Sequence, residues 1–393
     1  MTVTRRQLLP FAALSATYFA HIGFFNPYLP LWLKEQGYSL LVISLLTAVP
    51  SLTRLVGPYA WGWLSDHTGE RVKLLRYGAS AACVAALGLW VEAGVWWLAL
   101  VLFLLFVHTS AMMPMSEATM AHVVSSGGGF DARRYGRVRL FGSLGFLFTV
   151  FAAGAWFEHF GMHHFPAWTV LSLALVVGCV WWLPDIKEAI APHEKKRPIL
   201  PILRQRPVQW FFASVFFHIL AHMGVYIYFS LHLDALGYSK TVIGLMWAVS
   251  VVVEIVWFYT QSRWLPRLSW AGWLLLCGAL TTLRMGLTAG GAELWWVLLL
   301  AQSLHAFTFA AHHASCIALL SQHFPGSLRA RGQALYTVLG YGTPGVLGGL
   351  AGGVLTSHHG LTSVFWAGLG CGVAATFCAW QVWRHLRGAH VRA

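Results

Sequence analysis

Apolar residues along this chain come in long, nearly unbroken runs separated by short polar intervals. The segment AGVWWLALVLFLLFVHTSAMMPM (93–115) carries no Asp, Glu, Lys or Arg. About 20 apolar residues suffice to take a helix across a bilayer core. Twelve runs predict membrane-spanning helices over 8–31, 40–64, 73–92, 96–121, 137–157, 165–184, 208–231, 241–262, 270–289, 294–320, 333–356 and 361–383. The longest polar interval, DIKEAIAPHEKKRPILPILRQRP (185–207), separates six spans from six. The pattern therefore predicts an all-α membrane protein: an N-terminal bundle over 1–184, a cytoplasmic linker over 185–207 and a C-terminal bundle over 208–393.

Composition supports this and removes other classes. The chain is 58% hydrophobic and only 10% charged, against roughly 25% charged in soluble domains. A net charge of +13 in a soluble protein would suggest a nucleic-acid partner. Here 21 of the 26 Lys and Arg residues fall in alternate inter-span intervals and the terminal segments, while the opposite intervals hold only Lys34 and Lys240. Such asymmetry is the positive-inside pattern and places both termini in the cytoplasm, with no nucleic acid implied. The run after Arg5 and Arg6 lacks a small-residue cleavage site and reads as a first span. All six cysteines lie inside apolar segments with no CxxC spacing, as small buried residues do. No phosphate loop, nucleophile constellation or metal-ligand spacing is present, so neither an enzyme nor a cofactor is expected.

The halves repeat. GYSLLVISLLTAV (37–49) matches GYSKTVIGLMWAV (237–249) at eight of thirteen positions, and AHIGF (20–24) precedes one as AHMGV (221–225) precedes the other. Symmetry between six-span halves characterises transporters that work around a midplane site.

The loop GWLSDHTGERVK (62–73) resembles the G-x-L-x-D-R-x-G-R-R loop of the major facilitator superfamily, with Gly62, Leu64, Asp66, Gly69 and Arg71 in register and His67 and Glu70 at two positions that are basic in the pattern. In that reading Gly62 permits close helix approach, and Asp66 caps a helix or pairs with a cytoplasmic arginine. A plain polar turn ending span two is the alternative. Within the superfamily the chain resembles the lactose-permease-related group, and in particular the phenylpropionate permease subfamily. SEATMAH and YGRVRLFG look like that group's paired glutamate and arginine, here Glu117 and Arg139. TTLRMG and SLHAF look like its span-nine arginine and span-ten histidine, here Arg284 and His305, with Glu254 a looser counterpart of its span-eight glutamate. One departure stands out: the group has a glutamate one turn after its histidine, and this chain has Thr308. The resemblance implies a major facilitator fold of two six-helix bundles.

Charges inside spans are costly and usually mark a pathway or a coupling site. Five are present: Arg54, Glu117, Arg139, Glu254 and Arg284. Their excess of one positive charge favours an anionic substrate, or carboxylates that cycle between protonated and ionised forms. Glu117 and Arg139 lie 11 residues either side of Gly128, so an antiparallel hairpin brings them to similar depth. The alternative is that Arg139 snorkels back to the interface. The equivalent stretch RARGQALYTVLG (329–340) has Leu335 near the matching position, so the fold itself does not require an arginine there. Glu254 stands about 13 residues into its span, roughly 20 Å down, and Arg54 precedes it by 200 residues. Desolvation favours the neutral form of a carboxylate, which suits either Glu117 or Glu254 to proton coupling; static pairing is the competing reading. His305 lies near the midplane, and His312 and His313 remain open between packing and function. FFNPYLPLW (24–32) places two prolines in span one, predicting a bend or break that exposes Asn26 and Tyr28. LGYGTPGVLGGLAGGVL (339–355) predicts tight glycine packing in span eleven.

The expected function is proton-coupled symport of a small organic anion, of the aromatic-carboxylate type, by a monomer in a bacterial inner membrane. A proton gradient supplies the energy. Arg139, Arg284, Arg54, Asn26 and Tyr28 are the expected substrate contacts. Glu117, Glu254 and His305 are the proton-coupling residues, and Gly62, Asp66, Gly69 and Arg71 form the gating loop. A sugar or nucleoside symporter and a non-transporting membrane sensor are the two alternatives.

Overall fold

The computed structural model describes residues 5–125, 132–185, 198–325 and 328–390. Among them are eleven helical segments long and apolar enough to cross a membrane. The span expected over 294–320 is the exception, because it is built in pieces: α13 (Trp295–Ser303), a π-helical stretch Ala306–Ala311, and α14 (His312–His323). The chain folds as two compact units, Met1–Pro192 with Ser239–Leu245, and His193–Tyr238 with Met246–Ala393.

In unit 1, α1 (Arg5–Glu35) packs along α6 (Ala132–Phe160) and α7 (Phe165–Trp182), while α4 (Val95–Thr109) packs on α2 (Leu40–Thr68) and α3 (Arg71–Ala86). α5 (Met112–Ser125) continues the fourth span. The closest approach between α1 and α6 is made by glycines. A Cβ on Gly23 would meet the Phe146 backbone at 2.8 Å, and one on Gly145 would collide with the Ala16 carbonyl. Span one departs from expectation: α1 runs unbroken through Pro27 and Pro30, and Tyr28 is fully buried. The Tyr28 hydroxyl donates to the Val150 carbonyl at 3.0 Å. That bond satisfies a polar tip inside the bundle, while Asn26 alone is exposed.

In unit 2, a short helix, α8 (Leu200–Leu203), precedes α9 (Arg206–Met223), which passes through a π-helical turn, Gly224–Tyr228, into α10 (Phe229–Ala235). α9 packs on α16 (Thr343–His359) and α17 (Ser363–His390). α12 (Trp270–Gly291) lies against α17, α13 and α14. α11 (Lys240–Trp264) is the eighth span, and α15 (Arg329–Thr337) leads through a third π-helical turn, Val338–Gly342, into α16. The glycine run of span eleven serves close packing: a Cβ on Gly348 would meet Met223, and one on Gly352 the Tyr228 ring.

The sequence repeat has a structural counterpart in local backbone geometry. Gly37 and Gly237 take left-handed φ values of 81° and 83°. Tyr38 N then bonds Leu33 O, Tyr238 N bonds Leu233 O, and Ser39 and Ser239 cap the next helix. Glycine reaches positive φ without a Cβ penalty, and serine oxygens accept orphan N–H groups at helix starts. The gating-loop motif resolves similarly. Gly69 is the left-handed C-cap of α2 at φ 66°, Arg71 Nε donates to Ser65 Oγ at 3.1 Å, and Glu70 pairs with Lys73. Gly62 corrects the expectation of close helix approach, since a Cβ there would meet nothing within 4 Å. The side chains of Asp66 and of residues 121–137 lie outside the described set.

Gly145→Val should therefore lower the unfolding temperature in detergent by several degrees, as overpacking costs about 1–3 kcal/mol. Gly62→Ala should leave it unchanged or slightly raised, because alanine is the better helix former. Circular dichroism melts of the two variants check both.

Candidate functional site

Unit 2 gathers its polar residues around one guanidinium. Arg284, on α12, is 1% exposed. Its Nη1 donates to His305 Nδ1 at 3.0 Å and to Thr308 Oγ1 at 2.9 Å, and its Nη2 donates to Gln302 Oε1 at 2.9 Å. Gln302 Oε1 also accepts from Ser250 Oγ at 2.5 Å, which ties in α11. Accepting at Nδ1 leaves His305 with its proton on Nε2, directed at Glu254 Oε2 3.6 Å away. Residues from α11, α12, α13 and the π-helical stretch thus meet at Arg284, and the sequence-selected trio Glu254, Arg284 and His305 comes together.

Two features set this arginine apart. Among the described residues no carboxylate lies within ion-pair distance of it, since its polar partners are a neutral imidazole nitrogen, a hydroxyl and an amide oxygen. Two buried donors at the site, Arg284 Nε and Gln302 Nε2, have no hydrogen-bond partner among those residues. Buried donors of this kind are rarely left unmatched in proteins. Elsewhere in unit 2, Trp257, Trp273, Cys277 and Ala306 form an apolar cluster with Phe307 packed on it.

The π-helical stretch explains the position of Thr308. At its start, Phe307 N and Thr308 N share the Leu304 carbonyl at three- and four-residue spacing, before the wider turn that follows. The hydroxyl of Thr308, one turn after His305, accepts from Arg284. No sequence pattern announces a π-turn, so this contact was not legible in advance.

Unit 1 has a different site. A cavity of about 160 Å³ is lined by Asn26 and Arg54 together with Tyr18, His21, Thr53 and Ser110. Tyr18 and His21 were not selected from the sequence. Their signal was the repeated AH-x-G motif and a tyrosine one helical turn before it. His21 Nδ1 pairs with Ser172 Oγ at 2.8 Å, and the charges of both Arg54 and Glu117 act on the Tyr18 phenol. Glu117 and Arg139 form the anticipated ion pair, Oε1 to Nη1 at 3.4 Å, with Arg139 52% exposed. Tyr28 does not join this group, because its hydroxyl is committed to Val150.

Membrane-spanning helical units that each enclose polar and charged residues define a multi-pass membrane transporter of the major facilitator type. Solved structures with this fold include the nucleoside transporter NupG, at TM-score 0.81 and 14% identity over 96% of this chain and 99% of that one. A D-xylose–proton symporter matches at TM-score 0.70 and 13% identity, over 97% and 98% of the two chains. Residues 12–367 match the MFS_1 like family, and the chain belongs to it. Among its relatives is a probable 3-phenylpropionic acid transporter of Escherichia coli (strain K12), 27% identical over 355 residues, 89% of this chain and 91% of that protein. A maltose permease of Geobacillus stearothermophilus is 26% identical over 351 residues, 88% of this chain and 87% of that protein. These relatives and neighbours are transporters, not enzymes.

Thr308→Val should destabilise the protein by about 1–3 kcal/mol, the usual result of stripping a buried donor of its acceptor. Thr308→Ser should retain most of the stability. Thermal unfolding of the pair in the same detergent distinguishes the lost hydroxyl from the lost methyl.

Proposed function

We propose that this transporter carries a small organic anion, an aromatic carboxylate of the 3-phenylpropionate type, by proton-coupled symport and alternating access. The observation that supports the reading best is Arg284: a buried cation with no carboxylate partner among the described residues, an unpartnered Nε–H, and a second free donor on Gln302. A carboxylate offers two oxygens to planar N–H donors and neutralises the charge, which a sugar hydroxyl does not. The relative described as a probable 3-phenylpropionic acid transporter points the same way. Arg54 and Asn26 on the unit 1 cavity, and Arg139, supply further polar contacts in this reading.

Glu254 couples protons in this scheme. It touches His305, and His305 touches Arg284, so protonation of the carboxylate alters the field at the anion site through one imidazole. Glu117 is the second carboxylate available, paired with Arg139. The protein works as a monomer in a bacterial inner membrane with both termini cytoplasmic, which agrees with the distribution of its Lys and Arg. The second reading, sugar or nucleoside symport, draws on the maltose permease relative; a non-transporting sensor is the reading from another class.

Uptake into proteoliposomes tests these directly. Labelled 3-phenylpropionate should accumulate under an inward proton gradient, and maltose, xylose and nucleosides should not. Accumulation unaffected by collapsing the gradient would remove symport, and failure to transport any solute would favour a sensor. Arg284→Gln should weaken 3-phenylpropionate binding by tenfold or more, measured by equilibrium dialysis, in line with a charge-assisted contact worth about 1.5–3 kcal/mol. Glu254→Gln should abolish concentrative uptake while preserving exchange of labelled for unlabelled anion; undiminished accumulation would end its coupling role.

A further inference from the structure

Unit 2 also holds three buried histidines that the symport scheme leaves unused. His218 and His222 stand one turn apart on α9, and His312 opens α14. The rings of His218 and His312 lie parallel, with centroids 3.5 Å apart and an interplanar angle of 0°. His222 follows at 4.7 Å from His218.

Their partners assign the tautomers. His218 Nε2–H donates to the Thr308 carbonyl at 2.7 Å, which leaves Nδ1 as a lone pair 3.4 Å from Thr281 Oγ1. His222 Nδ1–H donates to the His218 carbonyl at 2.7 Å, which leaves Nε2 basic, buried and without any partner among the described residues. The polar contact of His312 is the weak Cys316 thiol, 3.6 Å away. Basic nitrogens therefore face a dry interior with little to bind. They do not converge on a metal position, and among the described residues no group of His, Cys, Asp and Glu is arranged to hold one. The ligand that fits an unmatched imidazole nitrogen is a proton.

Charge around the cluster comes from one side. Arg284 on α12 acts on both His218 and His222, His305 acts on His222, and His313 acts on His312. Cys277 and Tyr336 border Cys316, Tyr341 adjoins Tyr336, and Tyr226 interacts with Arg284. Among the described residues no carboxylate pairs with any of the three histidines. Thr308 joins the two sites physically: its hydroxyl accepts from Arg284, and its carbonyl accepts from His218.

We propose that His218, His222 and His312 form a single proton-binding site that loads when an anion occupies Arg284. This rests on the anion reading of Arg284 and adds a second proton site to it. Two imidazolium rings at 3.5 Å would repel strongly, so the stacked pair holds one proton. One imidazolium against one neutral ring is instead a favourable cation–π contact. Withdrawal from water is the first obstacle to charging a buried imidazole, and the uncompensated charge of Arg284 adds to it at His218 and His222. A bound carboxylate cancels that charge, and a proton from bulk water then enters the cluster. By linkage the loaded cluster favours the anion equally, so neither binds well alone. That mutual dependence is what symport requires.

The test uses full-length protein in nanodiscs with 3-phenylpropionate as probe and a pH indicator in weakly buffered solution. Wild type should take up protons as it binds the anion. Glu254→Gln should keep part of that uptake, whereas His218→Gln and His312→Asn should lose at least half of it and bind the anion several-fold more weakly, measured at saturating anion. Unchanged proton uptake in both histidine variants would overturn the proposal. Histidine nitrogen NMR supplies a readout that needs no histidine variant. Imidazolium signals absent from anion-free wild type at neutral pH should appear on adding 3-phenylpropionate, and also in Arg284→Gln without it. If wild type binds no 3-phenylpropionate, the anion reading falls and the Arg284→Gln spectra alone decide the proton site. Spectra identical to wild type would overturn it.

Discussion

A guanidinium buried to 1% exposure without a counter-ion among the described residues is the constraint on which unit 2 is organised. An uncompensated charge withdrawn from water costs several kcal/mol even after relaxation. The protein offsets this with oriented neutral acceptors drawn from separate helices: His305, Thr308 and Gln302, with Ser250 holding Gln302 in turn. Arg284 cannot be moved without disturbing α11, α12, α13 and the π-helical stretch together. The proposed anion and proton sites both draw on this shortage of negative charge.

The interruption of span ten follows from that constraint. A regular α-helix from 295 to 323 would point position 308 elsewhere. The π-helical stretch at Ala306–Ala311 brings one threonine to two tasks, with its hydroxyl serving Arg284 and its carbonyl serving His218. Irregular backbone inside a membrane persists only where side chains or cavities re-satisfy the freed groups. The turn at Gly224–Tyr228 lies directly after His222 and Met223, and the one at Val338–Gly342 directly after Tyr336 and Thr337. In unit 2 such turns thus recur beside the polar cluster.

Unit 1 handles its charges differently. Arg139 is half exposed and paired with Glu117, and Arg54 borders a cavity with Asn26. Exposed or paired charges exert weaker fields than a dry, unpaired one. Arg54 and Glu254, related by the repeat, therefore stand in unlike settings: the first on an open cavity, the second against His305.

Most of the spans, the internal repeat and the candidate charges were legible in the sequence. Each depends on local pattern: run length against bilayer thickness, identity between 37–49 and 237–249, and the cost of charge in apolar segments. The pairing of Glu117 with Arg139 was also accessible, because hairpin geometry equates their depths. What lay beyond the sequence depended on where side chains point. Tyr28 read as a site residue but spends its hydroxyl on Val150, and Gly62 read as a packing glycine but faces open space. The histidines of FFHILAHMG (216–224) looked like two of nineteen until the fold stacked one of them on His312 from another helix. Only tertiary packing decides which polar tips are left unmatched, since that depends on partners distant in the chain. The unmatched atoms on Arg284, Gln302 and His222 came to view only in the fold.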